Sequence, residues 1–183
     1  MNSPVQTHLI SKAASGSLAT MAVTCLPTIP FVIFGIVEPA LLVWAYMTTL
    51  QDPFTFYVKQ AQNYELALDD PSSFPPQARI MTLQLVNVYL LLAAMALICS
   101  WTTHASIVRL YLAAVALADY GHIWACYVGV GYELFVRPAE WNDLLWGSVG
   151  VSVFLNVVRL LTLAGAFGPV KEYKKGSGKK KAT

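Results

Sequence analysis

Charged residues are scarce in this chain of 183 residues, of which only 12% are Asp, Glu, Lys or Arg. A soluble globular domain carries about 25% of these residues. Hydrophobic residues make up 56% of the chain, and its mean hydropathy is +0.55. This composition excludes an ordinary soluble domain and indicates an integral membrane protein.

Cysteine is also scarce, and its spacing forms no metal-binding or disulfide pattern. Cys25, Cys99 and Cys126 include neither a CxxC pair nor a paired Cys/His spacing. That argues against both a disulfide framework and a zinc site. The sequence therefore predicts no metal and no cofactor.

Positive charge is concentrated at the C-terminal end, where the last 14 residues contain six lysines. A basic tail can bind nucleic acid, but these lysines directly follow an apolar run. We therefore expect a lipid bilayer as partner and no nucleic acid.

Four apolar runs are long enough to cross a bilayer, which takes about 20 mostly apolar residues. We predict that Ser106 caps the third helix and that Asn142 or Asp143 caps the fourth. The predicted fold is all-α, a four-helix transmembrane bundle over residues 26–168. A polar N-terminus (residues 1–25) precedes it and a basic tail (residues 169–183) follows it. The predicted spans are Leu26–Leu50, Ile80–Ser100, Ser106–Val130 and Leu144–Gly168.

The distribution of charge predicts the orientation of these spans. An even number of spans places both termini on one side, and lysine and arginine near helix ends mark the cytoplasmic side. Lys12, Arg109 and the lysine tail share that side, whereas most acidic loop residues lie on the other. We expect both termini to be cytoplasmic.

The connection between the first two predicted spans contains a short amphipathic pattern. Apolar residues recur there at helical spacing, from Phe54 to Leu68. This spacing predicts a short helix lying in the membrane interface, either as a packed loop helix or as a lid over an entrance.

Polar and ionisable residues interrupt the predicted spans. A charged side chain at bilayer depth costs at least roughly 2.5–3.5 kcal/mol, so it usually faces the bundle interior and marks a functional site. The residues concerned are Glu38, Asn87, Asp119, His122, Asn156 and Arg159.

These residues fall at similar predicted depths. At a rise of about 1.5 Å per residue, Glu38, Asp119, Asn156 and Arg159 lie within about 6 Å of one another along the membrane normal. Residues three apart share a helix face. The pairs with this spacing are Gln84 with Asn87, Asp119 with His122, and Asn156 with Arg159.

Two interpretations of the charged residues remain open at this point. Arg159 is either a structural counter-ion for Glu38 or Asp119, since buried charges pair, or part of a catalytic site. Two carboxylates against one arginine leave one acid in surplus, and such an acid can donate a proton. His122, one turn from Asp119, is suited to orient it as an acid/base partner.

Pro39 directly follows Glu38 and cannot donate a hydrogen bond to the carbonyl of Gly35. We therefore expect the first span to bend there and to free a backbone acceptor.

Aromatic residues near the polar layer are candidates to contact a substrate. Their ring faces can attract a carbocation. The predicted substrate-binding residues are Asn87, Asn156, Trp44, Tyr89, Tyr120 and Trp146.

Four segments carry a resemblance to small four-span fungal membrane proteins. They are VEP (residues 37–39), QLVNVYLL (84–91), ADYGHIW (118–124) and WGSVGVSVFLNVVR (146–159). Some proteins of this type look like the membrane-bound epoxide hydrolases of fungal polyene-pyrone biosynthesis. A looser similarity runs to seven-span meroterpenoid cyclases, which also use intramembrane acids.

The resemblance implies an integral membrane enzyme that opens a lipophilic epoxide. We expect Glu38 to protonate the epoxide oxygen, Asp119, oriented by His122, to activate water, and Arg159 to fix the carboxylate charge. The roles of the two acids could be exchanged. A proton-initiated terpene or polyene cyclase and a non-enzymatic lipid- or sterol-binding membrane protein are the alternatives.

The final residues resemble a dilysine retrieval signal of the KKxx type. Lys180 and Lys181 stand at the third and fourth positions from the end. The resemblance implies residence in the endoplasmic reticulum membrane.

Overall fold

A computed structural model describes residues 24–62 and 70–172 of the chain, and within these ranges it contains helices and no strands. The predicted all-α class is therefore confirmed. We number the five main helices in chain order. They are α1 (Thr28–Gln51), α2 (Pro53–Lys59), α3 (Pro76–Ser100), α4 (Ala105–Phe135) and α5 (Asp143–Leu163).

Three of these helices, α1, α3 and α5, are long and apolar enough to cross a membrane. The longest helix, α4, has 31 residues and carries Arg109, Asp119 and His122 along its length. Its backbone is interrupted at Gly131, whose φ of 79° lies in the left-handed region that glycine tolerates.

The long helices pack as two pairs. α1 packs mainly against α3 and α4 mainly against α5, while contacts between the pairs are sparser. One apolar cluster draws on all four helices and joins the pairs. It includes Phe34 of α1, Ala96 of α3, Val108 and Leu112 of α4, and Leu155 and Val158 of α5. A second cluster, within the α4–α5 pair, contains Val130, Leu134, Leu145 and Val149.

A local hydrogen bond explains where α5 begins, whereas the start of α4 has no side-chain cap. Asn142 caps α5, because its Oδ1 accepts a hydrogen bond from the Leu145 N–H at 2.8 Å. This is one of the two caps predicted for that helix. The predicted cap Ser106 is wrong: α4 begins at Ala105, after His104, whose side chain makes no capping hydrogen bond.

The C-terminal end of α5 is earlier than predicted. Gly165, at a φ of 82°, donates to the carbonyl of Thr162, and Ala166 donates to that of Leu161. This pair of bonds is a Schellman motif, which satisfies the last carbonyls and stops the helix. The helix therefore ends at Leu163 and does not continue to Gly168.

The short helix α2 lies between α1 and α3, where the sequence predicts one. Asp52 caps it by accepting a hydrogen bond from the Thr55 N–H at 3.0 Å, and this bond lowers the pKa of the Asp52 carboxyl. Asn142 donates to the carbonyl of Lys59 at 3.0 Å, which ties α2 to the start of α5. The end of the predicted pattern, Leu68, lies outside the described residues.

Two of the membrane-length helices contain one turn of π-helix. These turns are Ile33–Val37 in α1 and Trp146–Gly150 in α5. A π-turn inserts one residue into the helical register and often marks a functional site. The first turn leads directly into Glu38, so it sets the direction in which that carboxylate points.

The carbonyl of Gly35 cannot accept the usual helical hydrogen bond, because Pro39, four residues later, has no N–H. It accepts a hydrogen bond from the Trp101 indole N–H at 2.9 Å. The end of α3 therefore supplies the donor that Pro39 lacks.

Candidate functional site

One guanidinium group holds two carboxylates from two other helices. Arg159 of α5 donates from Nη2 to Oε1 of Glu38 on α1 and from Nη1 to Oδ2 of Asp119 on α4. The second of these bonds is 2.5 Å long. The side chains are 1% exposed for Arg159, 7% for Glu38 and 12% for Asp119. We call these three residues the acid–arginine–acid triad.

The triad links the two helix pairs, because Glu38 belongs to the α1–α3 pair and its partners belong to α4 and α5. Arginine suits this place because its planar fork presents several donors in fixed directions and remains charged when buried. The Phe34 ring, one helical turn before Glu38, lies under the guanidinium with its centroid 5.2 Å from the central carbon. An aromatic face attracts a cation at this distance.

Two polar atoms of the triad are buried without a hydrogen-bond partner among the described residues. They are Oε2 of Glu38 and Nε of Arg159. One is an acceptor when ionised or a donor when protonated, and the other is a donor.

Asn156 supports the triad from α5. Its Nδ2 donates to the carbonyl of Ala116 at 2.8 Å and lies 3.4 Å from Oδ2 of Asp119. Asn156 is buried, and its amide nitrogen is hydrogen-bonded to the main chain of α4. It therefore positions Asp119, while the substrate contact predicted for it remains a prediction.

Sequence reasoning missed two residues around the triad, Phe34 and Tyr111. Tyr111 is buried in the same apolar cluster as Phe34, close enough to Glu38, Arg159 and Asp119 to interact with them electrostatically. The spacing of Phe34, four residues before Glu38, could have indicated a shared face. No spacing rule would have singled out Tyr111 from the other tyrosines.

His122 and Asn87 lie outside the hydrogen-bond network of the triad. His122 is on the exposed side of α4, where its ring bonds to the main chain at Ser148, but it is close enough to Asp119 to interact with that carboxylate electrostatically. No hydrogen bond connects it to Asp119 within the part of the chain that the structure describes. Asn87 lies on the exposed face of α3. The side chains that orient Asp119 are thus Arg159 and Asn156.

The four predicted aromatic contacts are dispersed over the molecule. Trp44 is 67% exposed on the outside of α1. Tyr89 is partly buried and packs edge-to-face on Phe56 of α2, with ring centroids 6.4 Å apart. Trp146 is half exposed and packs against Trp141. Their substrate contacts remain predictions.

Tyr120, which directly follows Asp119, lies in an apolar groove on α4. The groove has a volume of about 260 Å³ and is open at the surface. Its lining consists of Tyr120, Ile123, Trp124, Tyr127 and Phe135.

No group of three or more His, Cys, Asp and Glu side chains within residues 24–62 and 70–172 is arranged to hold a metal ion. The triad itself has two carboxylates, and both already bind the guanidinium of Arg159.

Residues 23–169 match the model of a protein family described as Domain of unknown function (DUF7704). The chain belongs to this family. No curated protein and no solved structure matched the chain in the comparisons. The DUF7704 match covers all five main helices and names no activity.

The chemistry available at this DUF7704 site is proton transfer. Two carboxylates on one guanidinium carry one negative charge in excess if both are ionised. Such an excess is costly in a buried site and is relieved when the two acids share one proton. The arrangement can therefore donate a proton from one acid while the other accepts one.

Proposed function

We propose that the protein is a membrane enzyme that opens a lipophilic epoxide, using Glu38 and Asp119 as a proton donor and a proton acceptor. The observation that carries this proposal is the binding of both acids to the single guanidinium of Arg159. A site with one basic and two acidic groups supports acid–base chemistry, whereas a purely structural pair would need only one acid.

Hydrolysis of an epoxide requires two proton transfers. In the proposed reaction Glu38 gives its proton to the epoxide oxygen as a carbon–oxygen bond breaks. A water molecule attacks the carbon, and Asp119 takes the proton that this water loses. The product is a diol, and a proton moving from Asp119 to Glu38 restores the starting state.

The environment of each acid favours this division of roles. Glu38 is the more deeply buried acid, and its Oε2 has no hydrogen-bond partner among the described residues. It is therefore suited to hold a proton and to present it to a bound oxygen. Both acids accept from Arg159, but only Asp119 also lies near the Asn156 amide, whose N–H favours the ionised form.

The substrate class is inferred from an apolar groove on α4. The groove is lined by aromatic residues and includes Tyr120, the sequence neighbour of Asp119. A molecule with a long apolar chain and an epoxide near one end suits this arrangement. A small hydrophilic epoxide would gain nothing from the groove.

We further propose that α4 is a fourth span and that α2 lies at the membrane interface. The main polar group in the middle of α4 is Asp119, which is paired with Arg159 and so is not presented to lipid. With four spans, Arg109 and the lysine tail share one side, which would be cytoplasmic by the charge rule. The endoplasmic reticulum location rests on Lys180 and Lys181 of the tail, which lie outside the described residues.

A proton-initiated cyclase is the second candidate, favoured by the aromatic rings of Tyr120, Trp124 and Tyr127 in the groove. Ring faces could stabilise a carbocation that forms after protonation. In that reaction an internal alkene or hydroxyl, and not water, would attack the cation.

Isotope labelling of the product tests the proposal and separates the two candidates. Microsomes containing the protein would be incubated with a set of long-chain polyene epoxides in ¹⁸O-labelled water. Hydrolysis predicts a diol that is heavier by one ¹⁸O atom, formed only when the protein is present. A cyclic product without ¹⁸O would favour the cyclase, and no conversion of any epoxide would contradict the proposed function.

A further inference from the structure

Helix α3 carries two seams with the alternating spacing of four and three residues that is typical of packed helices. The inner seam is occupied by α1 and the apolar core. Its members are Thr82, Val86, Tyr89, Ala93, Ala96 and Ser100, and all but Tyr89, which is partly buried, are buried. The outer seam consists of Ile80, Gln84, Asn87, Leu91, Ala94 and Ile98, all of which are exposed.

The apolar members of the outer seam are among the most exposed residues of the helix. Ile80 is 56% exposed, Leu91 is 60% exposed and Ile98 is 67% exposed. Within residues 24–62 and 70–172, no other helix covers this seam. An apolar surface alone would require no partner in a bilayer, because lipid tails are as apolar as leucine.

Two carboxamide side chains in this seam do require a partner. Asn87 stands near the middle of the 25-residue helix, and Gln84 lies one turn away on the same face. Neither makes a hydrogen bond within the part of the chain that the structure describes. An amide facing hydrocarbon without a partner is costly, so side chains of this kind bind other helices in membranes.

We infer that the outer seam of α3 is the interface through which two copies of this chain associate in the membrane. A second copy supplies complementary hydrogen-bonding groups at the correct depth, because each carboxamide contains both a donor and an acceptor. Two copies inserted in the same orientation place Asn87 opposite Asn87. A single asparagine in such a seam also fixes the register of the two helices.

This inference is independent of the proposed enzymatic function. It uses no residue of the triad, and it assigns Asn87 to an interface between copies in place of the substrate contact predicted from the sequence. The triad faces the core of each copy, and the seam faces outward.

Cysteine cross-linking in native membranes tests the inference. The three native cysteines would be replaced by alanine, and single cysteines would be placed along α3. Oxidation should link two copies efficiently through Leu91→Cys and Ala94→Cys, both of which keep Asn87 in place. Leu110→Cys and Leu117→Cys are matched controls, because both positions are exposed but lie on α4 and not on the seam. Cross-linking at positions 91 and 94 that does not exceed the controls would overturn the proposal.

A second measurement does not depend on cysteine. Energy transfer between labelled copies of the full chain in liposomes, at increasing lipid dilution, gives the dissociation constant of the dimer. Asn87→Leu keeps the size of the side chain and should raise this constant about fivefold to thirtyfold, the range expected for an interhelical side-chain hydrogen bond. Leu110→Val, on the exposed surface of α4, should leave this constant unchanged. A wild-type chain that is monomeric at every dilution would also overturn the proposal.

Discussion

The indole N–H of Trp101, at the end of α3, donates a hydrogen bond to the main-chain carbonyl of Gly35 in α1. This carbonyl lacks its helical donor because Pro39 stands four residues later. The Trp101 ring also packs edge-to-face on Phe31, with centroids 5.0 Å apart. A side chain of the neighbouring helix thus completes the broken backbone that leads into Glu38.

We predict that Trp101→Phe destabilises the protein by about 1–3 kcal/mol, the cost of leaving a buried acceptor unsatisfied. Phenylalanine keeps much of the packing on Phe31 but has no donor for Gly35. Thermal unfolding in a mild detergent would measure the change. Trp44→Phe is the matched control, since Trp44 is exposed and should tolerate the same substitution. Equal stability of the two variants would show that the Gly35 carbonyl needs no partner.

Arg159 should be essential for stability, because it is the counter-charge of both Glu38 and Asp119. Removing one partner of a buried ion pair costs about 3–5 kcal/mol. Arg159→Met is therefore expected to lower the free energy of unfolding by about this amount.

Combining Arg159→Met with Glu38→Gln and Asp119→Asn should recover most of that loss, since no uncompensated buried charge remains. Unfolding measured for the single and triple variants gives the comparison. A single variant as stable as the wild type, or a triple variant less stable than the single one, would contradict the pairing.

Asn142 should have two separable roles. Its Oδ1 caps α5 and its Nδ2 donates to the carbonyl of Lys59 at the end of α2. Asn142→Ala removes both interactions and should cost about 0.5–2 kcal/mol from the lost cap alone. Asn142→Asp keeps the cap acceptor but has no donor for Lys59.

Hydrogen exchange would distinguish these roles. Asn142→Asp should speed exchange in α2 and leave the start of α5 protected, whereas Asn142→Ala should speed both. If the aspartate variant exchanges like the wild type in α2, the bond to Lys59 does not hold that helix.

The proposed four-span topology predicts a cytoplasmic C-terminus. Protease added to sealed microsomes should remove a tag placed after residue 183, while a tag inserted between α4 and α5 should be protected. Detergent, which opens the vesicles, should make both tags accessible. A protected C-terminal tag in sealed vesicles would contradict the proposed orientation, and tags inserted before and after α4 that respond alike would contradict α4 as a span.

Much of the triad could be predicted from depth alone. Glu38, Asp119 and Arg159 occur at matching distances from their helix ends, and buried charges of opposite sign pair. The presence of the long helices was also predictable, because an apolar run inside a membrane must satisfy its backbone hydrogen bonds internally, as a helix does.

The direction in which each polar residue faces was not predictable. Asn87 is a polar residue inside a predicted span, as Asn156 is, yet it lies on the outer seam of α3. Apolar residues occur on every side of that helix, so its sequence gives no signal of which face is inward. His122 lies three residues after Asp119 and near it, but it is the more exposed of the two, and its ring bonds to the main chain at Ser148 instead of to Asp119.

The π-turns are another reason why faces could not be assigned. The turn Ile33–Val37 rotates every later residue of α1 relative to a regular α-helix, and Trp146–Gly150 does the same in α5. Apolar sequences contain no clear signal for such an insertion. The missing helical hydrogen bond to the Gly35 carbonyl, in contrast, was predictable, because Pro39 has no backbone N–H.

Turnover of a lipophilic epoxide by carboxamide variants tests the central claim, that Glu38 and Asp119 perform acid–base catalysis. Rates in microsomes, normalised to folded protein, would be compared for the wild type, Glu38→Gln and Asp119→Asn. Glu133→Gln is the matched control, because it makes the same change at an exposed carboxylate far from the triad. The account predicts that both triad variants lose a factor of about 10²–10⁴, as expected for the loss of a general acid or base, while the control keeps its rate. Near-normal rates in both triad variants would contradict the account and leave the two acids with a structural role only.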